Sequence, residues 1–219
     1  MNFYDVVEKR RSIRDFERIE IGDDVIERII RAGLKAPANG NMRNWHFIVI
    51  KDNQIVLQLI DIIPKDISEK DMDRLLKEWN ISDPFQQASY RYSVPGQYQM
   101  LADSSAIIVP LFKSKFDIMK PENLSYLNSF ASIWCCIENI FLAATAEGYA
   151  CNLRIPLGNE GAHARKVLGF PEDYLMPCFI GLGKPSKDAK ILEHKEINAK
   201  ERIHIDKWDM ENKIASGVN

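Results

Sequence analysis

One stretch limits what this chain can fold into more than any other. Within residues 124–147, Leu127, Phe130, Ala131, Trp134, Ile137, Ile140, Phe141 and Ala144 recur at helical spacing. Ile133 and the adjacent Cys135 and Cys136 widen the apolar face. A helix apolar over so much of its circumference belongs in a deep core or at a subunit interface. Cys135 and Cys136 then read as buried free thiols. Gly148 stands where such a helix ends in a left-handed residue. The longest uninterrupted apolar runs stay far short of a membrane span, so no membrane partner is expected.

The remaining elements must pack around this helix. Phe3, Val6 and Val7 fall on one face of a short first helix ending near Arg10. Residues 21–36 read as a second helix, with Asp23 or Asp24 as cap and a stripe of Val25, Ile26, Ile29, Ile30 and Leu34. Pro37 stops it. Residues 45–51 and 105–112 read as strands, the second of them buried, and 53–63 as a helix. Strand 149–154 leads through Ile155-Pro156-Leu157-Gly158 to a helix at 160–168 that Asn159 can cap and that Gly169 and Pro171 close. Residues 177–183 form the last core strand.

Two segments are harder to read. Residues 64–99 mix charges with Trp79, Phe85, Tyr90, Tyr92 and Tyr98. A segment of this kind is a lid or substrate-facing insertion, or else a surface helical hairpin with partly buried aromatics. The extension 184–219 is polar, with scattered Ile197, Ile203, Ile205 and Trp208. It is too polar to fold alone and is expected to pack on something, such as a partner subunit. No repeat or linker divides the chain, so 1–219 reads as one domain.

Charge and motifs narrow the chemistry. Lys and Arg total 29 and Asp and Glu total 31. That balance excludes a general nucleic-acid binder, which would be strongly basic. The four cysteines lack CxxC or Cys/His spacing for zinc. Residues 1–5 lack the apolar region of a signal peptide. Together these point to a soluble protein of a reducing cytoplasm. There is no GxGxxG, HExxH or GxSxG motif. Of the four histidines, His163 lies on a surface helix and reads as solvent-facing. An enzyme with this sequence would take its chemistry from a cofactor.

Two short segments suit such a cofactor. Arg10-Arg11-Ser12-Ile13-Arg14 places three guanidinium groups and a hydroxyl within five residues. Arginine grips phosphate bidentately, and packing like charges so closely is unfavourable unless an anion shares the site. Taken alone, the cluster reads first as a solvated basic turn or a nucleic-acid patch, because basic runs are weak motifs. Asn39-Gly40-Asn41 lies in an amide-rich loop, and amides both donate and accept, as a heterocycle edge requires. Taken alone, ordinary turn chemistry is the better account of that loop.

Taken together, these segments resemble the nitroreductase family of FMN-dependent oxidoreductases. Arg10-Arg11-Ser12-Ile13-Arg14-Asp15-Phe16 is similar to that family's RRSxRxF segment. Ala36-Pro37 through Asn41 to Trp45-His46-Phe47-Ile48-Val49 is similar to its APSxxNxQPWxFIV segment. Gly148 through Pro156-Leu157-Gly158 resembles its flavin-flanking loop, and Leu-Gly-Phe-Pro-Glu-Asp-Tyr at 168–174 continues the order. Here Arg43 replaces the family glutamine, Asn44 the proline, and Ala38 and Asn39 two common serines, which changes the hydrogen bonds of that loop.

The resemblance implies an α+β fold, with a central, mostly antiparallel sheet flanked by helices, in an intertwined homodimer with two FMN sites at the interface. It implies that Arg10 and Ser12, with Arg11 beside them, hold the FMN phosphate and ribitol. Arg14 would approach the pyrimidine side of the ring. Asn39, Asn41 and the substituted Arg43 would reach the flavin of the other subunit. Pro156, Leu157 and Gly158 would lie along the ring, with a backbone N–H near N5. A basic residue of the extension, for which Lys195 is the choice, would complete the phosphate site. The implied reaction is ping-pong: NADH or NADPH reduces FMN, then a nitroaromatic, quinone or related small-molecule acceptor takes the electrons. Reductive dehalogenation or flavin destruction on the same scaffold, or flavin binding without catalysis, remain alternatives.

Overall fold

A computed structural model of the chain describes residues 1–208. In order it contains α1 (Phe3–Lys9), β1 (Phe16–Glu17), α2 (Asp23–Gly33), β2 (Trp45–Ile50), α3 (Asn53–Ile60), α4 (Glu69–Glu78) and α5 (Pro84–Ser93). Then come α6 (Gln97–Ala102), β3 (Ala106–Phe112), α7 (Asn128–Ala146), β4 (Ala150–Arg154), α8 (Glu160–Leu168) and β5 (Phe179–Pro185). The strands form one antiparallel sheet. β5 pairs with β3, β4 and β1, and β2 pairs with β3 on its far side.

All seven residues of β3 are buried. Ala106, Ile108 and Phe112 pack with α2 and α7, while Ile107, Val109 and Leu111 pack with α3, α6 and α8. Helices thus cover both faces, and β3 carries an uninterrupted apolar run instead of an alternating one. The fold is α+β, an antiparallel sheet flanked by helices. At Gly183 an added Cβ would strike the Phe16 ring, so only glycine lets β1 cross β5 there.

Local chemistry sets most boundaries. Asn2 and Asp5 form a capping box on α1, and Asp52, Ser68 and Asp83 cap α3, α4 and α5. Gly148 (φ +83°) and Gly169 (φ +70°) end α7 and α8 in the left-handed region. Two expected caps differ. Gly22 occupies the cap position of α2, and Asp23 and Asp24 lie in its first turn, where the helix dipole favours carboxylates. Asn159 stands at the cap position of α8, but its side chain makes no capping bond.

The long apolar stretch becomes a short turn, Leu124–Leu127, followed by α7. Ile133, Cys136, Ile137, Ile140 and Ala144 are buried, whereas Ala131, Cys135 and Glu138 are exposed. The adjacent thiols therefore part company. Cys135 lies at the surface, and burial pushes Cys136 up to about 12. Although its uninterrupted runs are short, Leu124–Ala146 is apolar enough by length and composition to cross a membrane, and 28% of its apolar window is buried within the chain. α1 also differs from expectation, because Val6 is buried while Phe3 and Val7 are exposed.

Residues 69–94 form a helical hairpin with a small core of Met72, Leu76 and Val94, and Arg91 pairs with Glu69 and Asp73 across it. His163 is not simply solvent-facing: its Nε2 lies 2.8 Å from the Gln58 carbonyl oxygen and 2.9 Å from Asp61, pinning α8 to α3. In the extension, Ile197, Ile203, Ile205 and Trp208 are exposed on the chain, and Trp208 stacks on His204. Residues 209–219, the end of the extension expected to pack on a partner, lie outside the described residues.

Candidate functional site

The basic segment is fixed to the outer edge of β4. Ser12 forms a parallel bridge with Cys151, and the Ile13 N–H donates to the Cys151 carbonyl (3.2 Å). Ile13, Phe16 and Ala150 form a small core beneath it. This anchoring spreads the arginines apart. Arg10 turns to Glu138 on α7 (3.6 Å). Arg11 donates to the carbonyls of Glu8 (2.6 Å) and Arg10 (2.9 Å). Arg14 donates weakly to the Ser12 carbonyl (3.4 Å), and burial lowers its pKa from the ordinary value.

Arg11, Ser12 and Arg14 line one wall of a cavity of about 400 Å³. Phe85 and Ser89 of α5 form another wall, and residues 192–197 close it with His194 and Lys195. Burial, then the charges of Arg11 and Arg10, lower the His194 pKa. Three cationic side chains (Arg11, Arg14 and Lys195), two serine hydroxyls and one carboxylate, Glu193, line this space. The donor set suits a phosphate ester. The structure thus brings Arg11, Ser12, Arg14 and Lys195 together and places Arg10 beside them, against α7.

The amide loop lies elsewhere on the chain. Gly40, Asn41 and Arg43 all have positive φ (58°, 57° and 38°). The Asn39 N–H donates to Ser132 Oγ on α7 (3.1 Å). Arg43 donates to the Ala36 carbonyl (3.2 Å) and to Asn41 Oδ1. Asn39 and Arg43 line a small cleft with Lys113 and Ser129, apart from the basic cavity.

The third segment follows β4. From Cys151, beside Ser12, to Pro156 the chain advances roughly 16 Å at about 3.3 Å per residue. Ile155 and Leu157 are exposed, and Gly158 has φ +52°. At the ends of this loop Arg154 and Glu160 form a buried ion pair. The sequence offers neither as a site residue, nor Ser89, while Phe85 and Tyr92 stand out there only as aromatics of the segment 64–99. Opposite charges bracketing an otherwise uncharged five-residue loop were the one signal available for the pair.

The Nitroreductase family model matches residues 7–184. Over 201 residues the chain is 29% identical to a provisionally named NADH dehydrogenase/NAD(P)H nitroreductase of Archaeoglobus fulgidus, covering 91% of this chain and 94% of that protein. Over 195 residues it is 26% identical to iodotyrosine deiodinase 1 of Mus musculus, covering 88% of this chain but 65% of that protein's own length. The crystal structure of oxidized iodotyrosine deiodinase bound to FMN and 3-iodo-L-tyrosine shares the fold with a TM-score of 0.70 at 14% identity, covering 94% of this chain and all of that one (100%).

Proposed function

Because the chain belongs to the nitroreductase family, we propose that it binds FMN at a site shared by two copies of the chain and reduces a small acceptor with electrons from NADH or NADPH. The observation that carries this reading is the cavity in which Arg11, Ser12, Arg14 and Lys195 converge. When bound, FMN would supply the redox chemistry needed to link a reduced nicotinamide to a nitroaromatic, quinone or related acceptor.

The protein supplies grip and electrostatics. Arg11, Ser12 and Lys195 hold the phosphate, with Arg10 adding positive charge from beside the cavity. Arg14 keeps a partly desolvated positive charge for the pyrimidine side of the ring, where preorganised charge is most effective. Pro156, Leu157 and Gly158 would form the loop beside the ring. Asn39, Asn41 and Arg43, remote from the cavity in their own chain, serve the partner's flavin. The exposed apolar residues Phe3, Tyr4, Met119 and Leu124, with the outer face of α7, support a homodimer. The four cysteines are free thiols, which supports a reducing compartment such as the cytoplasm.

A second reading, reductive dehalogenation of an aromatic substrate, is favoured by the deiodinase relatives. Steady-state assays of the FMN-loaded protein with NADH and NADPH, against nitroaromatic, quinone and halogenated phenol acceptors, separate the two. Turnover of the halogenated phenol alone selects the second. No turnover with any pair leaves a flavin-binding protein without catalysis.

A further inference from the structure

We infer that the buried ion pair of Arg154 and Glu160 is a positioning device, holding the loop 155–159 so that the Gly158 N–H is presented to the flavin ring. The inference rests on the FMN reading above.

Arg154 is the last residue of β4 and Glu160 the first of α8, and each is 5% exposed. Arg154 Nε donates to Glu160 Oε2 (2.9 Å), and its Nη2 donates to Oε1. Its Nη1 donates to the Gln97 side chain on α6. Between the two charges the backbone folds back on the same carboxylate. The Leu157 N–H donates to Glu160 Oε2 (3.3 Å), and the Glu160 N–H donates to the Leu157 carbonyl (3.0 Å). One guanidinium fork and one carboxylate thus fix the separation of the loop's ends, the plane between them and the direction of one amide.

Stability alone does not account for such a pair. Removing two charges from water is unfavourable by an amount that their attraction often fails to recover, and an apolar pair of similar volume is commonly as stable or more so. What an apolar pair lacks is direction. Here direction matters because of how the loop's N–H groups are used. Pro156 has none, and that of Leu157 is turned onto Glu160. The Gly158 N–H makes no hydrogen bond among the described residues, and its φ of +52° lies in the left-handed region that glycine favours. The clamp therefore leaves the Gly158 N–H as the first after the proline that is open to a ligand.

The test compares wild type, Arg154→Met/Glu160→Leu and Glu160→Gln, each purified, stripped and titrated with FMN. The apolar double variant is expected to melt at or above the wild-type temperature without flavin. It is expected to bind FMN about tenfold more weakly, the scale of one well-placed hydrogen bond. Its bound-flavin absorption and midpoint potential should also move away from wild type. Glu160→Gln, with one acceptor oxygen left, should fall between, and it carries the comparison by itself if the double variant does not fold. Wild-type affinity, absorption and potential in the variants would make the pair purely structural and overturn the inference alone. A wild-type protein that takes up no FMN would overturn both the inference and the reading beneath it.

Discussion

The Arg14 guanidinium carbon lies 5.9 Å from the centroid of the Tyr92 ring. This contact ties the N-terminal basic segment to the α4–α5 hairpin. Lys190 Nζ approaches the same ring at 4.5 Å, and the Tyr92 hydroxyl donates to Asp15 (3.3 Å). Burial, and then Asp15, raise the Tyr92 pKa, so the phenol stays neutral and available as a donor. Three distant parts of the sequence therefore meet on one side chain, which backs the cavity-lining Arg14.

Tyr92→Ala should loosen this wall and weaken FMN binding by about 0.5–2 kcal/mol, the range of a cation–π contact. Tyr92→Phe keeps the ring and should lose less. Titration of FMN fluorescence against both variants checks the order. Equal losses would assign the effect to the hydroxyl instead.

The three arginines should separate by role. Arg11→Ala removes a cavity cation and should weaken FMN binding by about 1.5–3 kcal/mol, the scale of a charge-assisted hydrogen bond. Arg10→Ala, with its side chain turned to Glu138, should weaken it less. Arg14→Ala should lower the flavin midpoint potential by on the order of 30–60 mV, since a two-electron couple shifts about 30 mV per 1.4 kcal/mol of lost charge stabilisation. Dissociation constants and potentials for all three variants distinguish these outcomes. An unchanged potential in Arg14→Ala would remove that residue from the ring.

Ala131 is exposed on the outer face of α7, so Ala131→Glu should leave the fold of one chain intact. If that face is the dimer seam, the buried carboxylate should drive the protein to monomers. Light scattering should read about twice 25.2 kDa for wild type and about that mass for the variant. A wild-type monomer would contradict the shared site.

Glu147 closes α7 against α2 by pairing with Arg28 (3.0 Å). The hydrogen bonds from Arg28 hold its carboxyl below the usual range. A carboxyl depressed in the folded state stabilises above its unfolded pKa, and that contribution fades as pH falls through the folded value. Glu147→Gln should therefore melt slightly below wild type at pH 7. The gap should close below about pH 4, where model carboxyls protonate. Thermal melts across pH check it, and a gap that widens in acid would reverse the sign.

Much of the architecture was legible because the core is two-sided. The run Ile107-Ile108-Val109 can be accommodated only with apolar cover on both faces, and the stripe on α2 and the breadth of α7 supply part of that cover. The close of α8 at Gly169 follows from a glycine that the sequence carries, whereas the apolar spacing runs the long helix straight through the turn Leu124–Leu127, which the Asn123 side chain caps. β1 was not legible, since a two-residue strand has no periodicity. Its existence depends on the bare surface of Gly183 beneath Phe16. In the site, Ser12 and the arginines were readable as chemistry, but their divergence was not. The bridge from Ser12 to Cys151 sets which side chains turn inward, and that pairing joins residues far apart in the sequence. The hairpin's place beside the cavity is likewise tertiary, decided by Tyr92, Asp15 and Lys190 and not by any local pattern.

The absorption spectrum of freshly purified protein, with the released chromophore identified by chromatography, tests the central claim most directly. The protein should be yellow and release one FMN per chain, because the cationic cavity is matched to a phosphate ester carried by a redox ring. A colourless protein that also fails to take up added FMN would contradict it.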